Sequence, residues 1–375
     1  MIKVLHLISG GDTGGAKTHI FSLMKGLKGL VDARIICFIK DSFYEEAVEK
    51  GFSIKVFPQK KRSDMSVVKK LRDEIKKENF SIIHAHGARA NFICMFLKKY
   101  VDIPFVTTVH SDYKLDFKDN FYKNLIFTNL NKIALKSFDY YITVSDSFKD
   151  MLKDRGFKKD KIFVLYNGID NENIPYYVSK DEFLNRYKID YNGEFIVGIA
   201  ARLDKVKDLT TFIRGAREVL KENTDVIFLI AGEGEELSHL QKEAESFKNN
   251  IFFLGFVNDN YSFFNALDLN VLTSISESFP YVILEASTMN LTSVATDVGG
   301  IDKIIFDDET GYKIKVSDYT ALKGKILYLY NNRDKLEKLG ENIHAYVNKN
   351  FSYKSMGETQ FEIYKNILEE ENEIN

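Results

Sequence analysis

Two glutamates eight residues apart mark the segment whose side chains are best suited to chemistry. Glu277 and Glu285 lie in the run Ser274–Ala286, directly after an apolar stretch. Pro280 lies between them, where proline favours the first turn of a helix, and a helix N-terminus attracts phosphate. Glu277 is then placed to contact sugar hydroxyls, and Glu285 to contact a ribose diol. Because the neighbours of Glu285 are apolar, an unpaired carboxylate there is costly, which favours a binding role over a solvated surface position.

Arg202 and Lys207 form a second candidate group, directly after the apolar run 195–200. A departing nucleoside diphosphate gains negative charge, and two fixed cations stabilise it where water is scarce. The alternative is an exposed basic loop without a ligand. Two cations at this spacing suit a diphosphate, and the family resemblance described next implies that role for Arg202 and Lys207.

These residues closely resemble the signature of the retaining glycosyltransferases of the GT-B fold, in particular family 4 (glycosyl transferases group 1). The Glu-x7-Glu spacing has a Ser-Phe core in Ser278 and Phe279, and Arg202 and Lys207 match the family's Arg-x4-Lys. Ala201 stands where the family usually has glycine, and Asp302 departs from the usual ending of the Gly-Gly loop. The resemblance covers residues 195–311.

The resemblance implies roles for further residues of the second half. It implies that Gly232 and Gly234 form a turn that lines the nucleotide pocket. Phe256 and Val257 are expected to contact the base. Ser278, Phe279 and Glu285 are expected to contact the donor. Val298-Gly299-Gly300-Ile301 is similar to the family's Gly-Gly loop.

A glycine-rich loop in the first half, Gly10–His19, joins the first predicted strand to the first predicted helix. Glycines let the backbone approach an anion closely. The family resemblance implies that Gly14 and Gly15 face the donor phosphates and the acceptor. It also implies that His110, at the end of a strand, lies beside the transferred sugar. The implied catalytic set is therefore His110, Glu277, Arg202 and Lys207.

The same loop supports an alternative function. Gly11–Thr18 is nearly a P-loop, with Ala16 in place of the second glycine, which would make the chain an ATPase or kinase. The methyl group of Ala16 obstructs the tight turn by which a P-loop backbone surrounds the phosphates. The run Ser81–Ile83 is followed by histidines, whereas a P-loop enzyme needs an aspartate there to bind magnesium. A dinucleotide fingerprint is absent from the loop. A non-catalytic two-domain sugar-binding protein stays open as a third hypothesis.

His84 and His86 are two residues apart and share one face of an extended segment. A metal site needs further ligands, which the sequence does not place. Packing or contact with the acceptor is the favoured interpretation. No Asp-x-Asp pair follows a strand, so we expect no required metal and no cofactor other than the nucleoside diphosphate sugar, which is the donor substrate.

The elements that must position these residues alternate between short β-branched runs and amphipathic stretches, which predicts parallel sheets. We predict an α/β fold of two Rossmann-like domains facing a central cleft, the GT-B architecture. The predicted boundaries are an acceptor-binding domain at 1–166, a linker at 167–190, a nucleotide-sugar domain at 191–352, and a C-terminal helix at 353–375 that crosses back to the first domain.

The charge of the chain is unevenly distributed. Residues 1–165 carry 30 Lys+Arg and 19 Asp+Glu, a formal +11, and the remaining residues carry −13. Basic residues alternate with aromatics at Lys114–Lys123 and cluster at Lys60–Arg62, a composition that suits an anionic membrane surface. We expect peripheral contact with anionic membrane and no nucleic acid partner.

Composition sets the broad class. The chain has 375 residues, 45% of them hydrophobic, and two cysteines, both in apolar runs, which excludes a disulfide scaffold. Apolar runs are too short for a membrane span or a signal peptide, so we expect a cytoplasmic protein, at the inner face of the cell membrane.

The family resemblance implies a retaining glycosyltransferase of the hexosyltransferase class. The donor is expected to be a UDP-sugar. The acceptor is expected to be a saccharide or a lipid-linked saccharide of envelope polysaccharide or glycolipid synthesis.

Overall fold

The structure is a computed structural model that describes residues 1–11, 14–61, 64–110, 112 and 130–374. It divides into two compact units, residues 1–168 with 353–375, and residues 169–352. The predicted linker spans residues 167–190. Of these, residues 169–190 belong to the second unit and contain a helix.

The first unit contains, in its described part, a seven-stranded parallel sheet. Its strands are β1 (Lys3–Ile8), β2 (Asp32–Cys37), β3 (Ile54–Val56), β4 (Ile82–His86), β5 (Phe105–Val109), β6 (Tyr140–Thr143) and β7 (Ile162–Val164). The order is β3-β2-β1-β4-β5-β6-β7, so the direction of winding reverses between β1 and β4. The helices are α1 (Gly14–Gly26), α2 (Ser42–Glu49), α3 (Ser66–Glu78), α4 (Gly87–Leu97) and α5 (Asp146–Asp154).

The second unit contains a six-stranded parallel sheet with the same type of winding. Its strands are β8 (Phe195–Ala200), β9 (Val226–Ala231), β10 (Ile251–Gly255), β11 (Leu269–Leu272), β12 (Ser293–Thr296) and β13 (Gly311–Ile314). The order β10-β9-β8-β11-β12-β13 reverses between β8 and β11. The helices are α6 (Lys180–Arg186), α7 (Leu209–Leu220), α8 (Leu237–Ala244), α9 (Asn260–Ala266), α10 (Tyr281–Thr288), α11 (Tyr319–Asn331) and α12 (Arg333–Asn350).

The predicted α/β fold class is confirmed, because both units are Rossmann-like and their strands are buried on both faces. Val197, Phe228 and Val271 belong to one side of the second sheet, and Ile196, Ile227 and Leu229 to the other. Such two-sided burial is typical of parallel sheets covered by helices. It leaves the ends of the strands as the places where polar side chains collect.

Short polar side chains begin many of these helices. The side chains of Asp208, Asp259 and Asp318 each accept a hydrogen bond from a backbone N–H in the first turn of α7, α9 and α11. Such caps satisfy donors that the helix itself leaves unpaired. α10 differs, because Pro280 is the residue before its first turn and provides no side-chain cap.

The last helix, α13 (Tyr353–Ile374), belongs to the first unit and packs on α1. The two helices approach closely where glycine faces glycine. A Cβ atom on Gly357 would lie 2.2 Å from the backbone carbonyl carbon and oxygen of Gly26. Farther along α13, the buried Tyr364 hydroxyl lies 2.6 Å from His84 Nδ1, and Lys161 forms an ion pair with Glu370. α13 is therefore an integral part of the first unit's core.

None of the described helices has the length and apolar character that a membrane span requires.

Replacing Gly357 with alanine tests the contact between α1 and α13. The added methyl group meets backbone atoms that cannot rotate away, so we expect a loss of roughly 1–3 kcal/mol in the free energy of unfolding. Limited proteolysis should cut α13 sooner, and thermal unfolding should occur at a lower temperature.

The matched control is Gly324→Ala in α11, where a Cβ atom meets nothing within 4 Å. That change should stabilise the chain by about 0.5–1 kcal/mol, as alanine does in helix interiors. Equal effects of the two substitutions would contradict the close approach.

Candidate functional site

Lys207 and Glu277 join the two loops that flank the reversal point of the second sheet. Lys207 follows β8 and Glu277 follows β11. Lys207 Nζ lies 2.6 Å from Glu277 Oε1, with side-chain exposures of 19% and 10%. Ser274 Oγ donates to the same carboxylate oxygen at 2.6 Å, and Thr273 Oγ1 donates to the backbone carbonyl of Lys207 at 3.0 Å. The two predicted site residues are thus held in one hydrogen-bonded group.

The geometry of Glu277 depends on a glycine pair after β12. Gly299 has a φ of +62°, and a Cβ atom there would lie 2.0 Å from the backbone oxygen of Glu277. Only glycine combines this φ with so close an approach. Gly300 N–H donates to the carbonyl of Ser278 at 2.8 Å. The backbone of the predicted Gly-Gly loop therefore packs directly against the backbone of the Glu277 loop and stabilises its conformation.

Arg202 and Glu285 line one cavity of about 240 Å³ in the second unit. Its wall is formed by the ends of β8 and β9, the segment after β10, and α9 and α10. The lining residues are Ala200, Ala201, Arg202, Ala231, Gly232, Glu233, Phe256, Val257, Asn260, Val282 and Glu285. Five residues predicted to contact the donor are among them: Arg202, Gly232, Phe256, Val257 and Glu285.

Glu285 has an unusual electrostatic environment. It lies on α10 among apolar side chains, and Asn260 Nδ2 donates to it at a long distance of 3.5 Å. Burial raises the pKa of Glu285 to about 7, and the hydrogen bond from Asn260 opposes this shift. A carboxyl group with this pKa changes charge near neutral pH, which is a mark of functional sites in general.

The two predicted cations differ in exposure. The side chain of Arg202 is 79% exposed and lies 3.1 Å from Asp204, whereas Lys207 is largely buried. Phe256 is 67% exposed, which leaves its ring accessible to a ligand.

The ring of Phe279 is not accessible to a donor, because it lies in the core of the second unit. Its side chain is buried and packs on the ring of Phe351 with centroids 5.0 Å apart. Gly234 packs against the backbone of Leu203, since a Cβ atom there would lie 2.3 Å from the Leu203 oxygen.

Residues predicted in the first half lie in the first unit. Gly14 and Gly15 open α1, and Gly14 has a φ of +59°. Asp12 and Thr13 of the same loop, together with Arg62 and the basic segment 114–123, lie outside the described residues. Lys17, which the P-loop alternative needs for phosphate, forms an ion pair with Glu46 at 2.6 Å.

His110 lies in a cluster with four other histidines at the carboxyl ends of β1, β4 and β5 and on α1. His86 Nδ1 lies 3.4 Å from His110 Nε2, and His86 Nε2 lies 3.1 Å from His6 Nδ1. The ring of His19 meets the ring of His110 edge-on at 4.6 Å. Burial lowers the pKa of His6 to about 3 and that of His19 to about 4, so both rings are neutral at physiological pH.

Comparison with known proteins agrees with this architecture. The family of glycosyl transferases group 1 matches residues 180–345, and glycosyltransferase family 4 matches residues 13–173. The chain belongs to family 4 of the GT-B glycosyltransferases. The two matches follow one another along the chain, as the two units do, so the family resemblance first seen at residues 195–311 extends over the first unit as well.

Relatives of this glycosyltransferase include the N-acetyl-alpha-D-glucosaminyl L-malate synthase of Bacillus anthracis, 25% identical over 88% of this chain and 85% of the relative. Another is the UDP-Gal:alpha-D-GlcNAc-diphosphoundecaprenol alpha-1,3-galactosyltransferase of Escherichia coli, 25% identical over 68% and 67%. The crystal structure of Anabaena Alr3699/HepE in complex with UDP-glucose is 20% identical, with a TM-score of 0.80 over 98% of this chain and all of that one. The structural similarity to the Anabaena protein shows that the two chains share a fold.

Several residues of the candidate site in the second unit and of the histidine cluster in the first unit were not predicted from the sequence. Asn260, which contacts Glu285, follows the segment after β10 without a recognisable motif. Ser274 lies in the run Ser274–Ala286, but no motif indicates a role for its hydroxyl group. His6 and His19 lie in a strand and in a helix far from His86 along the chain, so no local spacing signals their contact.

Replacing Glu285 with glutamine tests its environment. In the folded chain its pKa is raised to about 7 from an ordinary value of 4.5, so the folded state binds this proton more tightly than the unfolded state. The carboxyl therefore lowers the free energy of unfolding as the pH rises from about 4.5 to about 7. Glutamine should stabilise the second unit by on the order of 1–3 kcal/mol at about pH 8 and by little at about pH 5.

Urea unfolding at both pH values measures this difference. Glu235→Gln, at an exposed position of the same unit, is the control and should have the same small effect at both pH values. A gain for Glu285→Gln that does not depend on pH would count against the raised pKa.

Proposed function

We propose that this glycosyltransferase is retaining and that it transfers a sugar from a nucleoside diphosphate sugar, with UDP as the carrier. The observation that carries the proposal is the cavity lined by both Arg202 and Glu285, together with the Lys207–Glu277 pair that joins the loops after β8 and β11. UDP-glucose is bound by the structural neighbour from Anabaena, and UDP-Gal is named as the donor of the Escherichia coli relative. Both support a UDP-sugar.

The donor's diphosphate is assigned to Arg202 and Lys207. Arg202 is paired with Asp204 and Lys207 with Glu277, and these carboxylates offset the positive charge when the site holds no anion. The first N–H groups of α10, which lack a side-chain cap, add partial positive charge for phosphate oxygens. As the bond to the sugar breaks, charge grows on the leaving diphosphate and these groups stabilise it.

The nucleoside is assigned to the cavity of about 240 Å³. Glu285 is placed to hold the ribose diol, since a carboxyl oxygen accepts hydrogen bonds from both hydroxyls. The backbone around Val257 and the exposed ring of Phe256 are assigned to the base. Ser278 and Glu277 are assigned to phosphate and sugar hydroxyls, respectively.

The transfer step proposed is displacement on a single face of the sugar. The acceptor hydroxyl attacks the anomeric carbon from the side that the diphosphate leaves. The bond from that carbon to the phosphate oxygen breaks, and the phosphate oxygen takes the acceptor's proton. This route keeps the anomeric configuration without a covalent enzyme intermediate. From the first unit, His110 is assigned contact with the transferred sugar, and Gly14 and Gly15 contact with the donor phosphates and the acceptor.

The acceptor proposed is a saccharide or a lipid-linked saccharide of envelope polysaccharide or glycolipid synthesis, used at the cytoplasmic face of an anionic membrane. The Escherichia coli relative is named for a diphosphoundecaprenol-linked acceptor. The first unit also has a cavity of about 380 Å³ between α3 and α4, lined by Met65, Val68, Lys69, Arg72, Phe96, Lys99 and Tyr100. Apolar rings combined with cations suit an interfacial surface.

Nucleotide binding is the first test of the donor assignment. In EDTA, we expect UDP to raise the unfolding temperature more than GDP or ADP does, with about 2.7 kcal/mol of stabilisation at a hundredfold excess over Kd. Because the chain has no tryptophan, Phe256→Trp also provides a single fluorescent reporter at the cavity, from which Kd can be measured directly.

Lys207→Met should weaken UDP binding roughly 10- to 100-fold, because it removes a charged hydrogen-bond donor. Lys205→Met, at an exposed position of the same loop, is the matched control and should bind UDP normally. Equal affinity in both variants would remove Lys207 from the site. Stabilisation by ATP with magnesium alone would instead support the P-loop alternative.

Liposome flotation tests the membrane assignment. Lys69→Glu combined with Lys99→Glu should lower recovery with anionic vesicles at least about tenfold, since each basic residue contributes about 1 kcal/mol at such a surface. The control, Lys28→Glu with Lys132→Glu, changes the net charge equally at exposed positions elsewhere in the first unit. Equal recovery of the wild type with neutral and anionic vesicles would contradict the assignment.

A further inference from the structure

Five of the chain's seven histidines gather in the first unit, although they come from four elements and span more than 100 positions. His6 lies on β1, His19 on α1, and His84 and His86 on β4, while His110 follows β5. All except His110 are fully or almost fully buried. Among the described residues, the hydrogen-bond partners of these rings are hydroxyl, amide and imidazole groups.

Burial lowers the pKa of every histidine in the cluster. Each ring is therefore neutral at physiological pH and has one N–H group and one nitrogen lone pair. Neutral imidazole is the form that coordinates a metal ion, because no proton has to leave first.

His84 is not available as a ligand. Its Nδ1 lies 2.6 Å from the Tyr364 hydroxyl, and its Nε2 lies 2.7 Å from Thr108 Oγ1. Both nitrogens are thus engaged, and a metal ion at His84 would have to break one of these short hydrogen bonds. This argues against a site formed by His6, His84 and His86, although their ligand atoms are close together.

His19 has the opposite arrangement. Its Nδ1 lies 2.8 Å from Asn167 Oδ1, and because a carbonyl oxygen only accepts, Nδ1 bears the proton. The lone pair is then on Nε2, which is buried and has no hydrogen-bond partner among the described residues. A histidine whose other nitrogen donates to an oxygen is the usual form of a metal ligand.

We propose that His19 Nε2, His86 Nδ1 and His110 Nε2 form a binding site for a divalent transition metal ion of the Zn²⁺ class. One ligand atom from each of these three residues lies within 4.8 Å of the others. Tetrahedral coordination with bonds of about 2.0–2.1 Å places ligand nitrogens about 3.3 Å apart. The His86–His110 pair, at 3.4 Å, already has this spacing.

The surroundings fit the proposed site. When His86 coordinates through Nδ1, its Nε2–H donates to His6 Nδ1 at 3.1 Å, just as Asn167 orients His19. Such second partners fix the ring that binds the metal. The metal-ligating groups found together in the described part of the chain consist of histidines alone. Three imidazoles with a fourth position left for water or substrate are a set that holds zinc in catalytic sites.

The site has a consequence for transfer, which rests on the proposed function. His110 is assigned to the transferred sugar, and a metal ion on its Nε2 would occupy that nitrogen. Metal binding is therefore expected to inhibit transfer reversibly, and EDTA to restore it.

Titration of the EDTA-treated full-length chain with Co²⁺ tests the site without donor or acceptor. We expect one equivalent to produce the visible d–d absorption of a four-coordinate Co²⁺ ion, and one equivalent of Zn²⁺ to abolish it. His19→Gln and His110→Gln should each weaken Co²⁺ binding by at least tenfold. Each change removes a metal ligand, and losing only the hydrogen-bond partner of a ligand already costs about 10- to 100-fold in metal affinity. His239→Gln, whose side chain is 62% exposed in the second unit, is the matched control and should bind normally.

The proposal is overturned if Co²⁺ does not bind saturably, or if the His239→Gln variant loses as much affinity as the other two. Circular dichroism shows whether the variants fold. For a variant that does not fold, X-ray absorption of the zinc-loaded wild type decides instead: three imidazoles around zinc support the site, and one or none overturns it. UDP binding in EDTA tests the donor site separately, so failure of one proposal is distinguishable from failure of the other.

Discussion

Parallel pairing of the strands is the constraint on which the candidate sites depend. Because neighbouring strands run in the same direction, their carboxyl ends meet at one edge of the sheet, and the chain must return by a helix each time. At the reversal point, β8 and β11 are followed by helices on opposite faces, so the loops after them separate. Lys207 and Glu277 lie in these two loops, and their ion pair joins them.

The same constraint places the histidine cluster of the first unit. His6 and His86 are in β1 and β4, which are neighbours in the sheet although they are 80 residues apart. α1 begins just after β1, and so brings His19 to the same edge. The two units thus share one topology but differ in chemistry. The second presents charged groups in pairs, and the first presents neutral rings.

Much of the candidate site in the second unit was predictable, because its residues follow predicted strands and match the family's Arg-x4-Lys and Glu-x7-Glu motifs. Arg202, Lys207, Glu277 and Glu285 were all identified in this way. Sequence could not show that Lys207 and Glu277 pair with each other, since that contact depends on how the loops fold. It also could not show that the Phe279 ring turns into the core against Phe351. In the first unit, the shared face of His84 and His86 followed from strand periodicity, but the other rings arrive from distant elements.

The two units also compensate for the free-energy cost of burying polar groups in different ways. Near the Lys207–Glu277 pair, each charge keeps a partner, and a buried charge without one is expensive. In the proposed function, a diphosphate joins Lys207 while Glu277 keeps the hydrogen bond from Ser274, and the exposed Arg202 can turn towards the diphosphate at little cost. Among the described residues Glu285 forms no ion pair, and its pKa is raised, so it adds little repulsion to an approaching dianion when protonated. In the histidine cluster, the hydrogen bond that His19 Nδ1 donates to Asn167 leaves the lone pair of His19 on Nε2, where the proposed metal ion would bind.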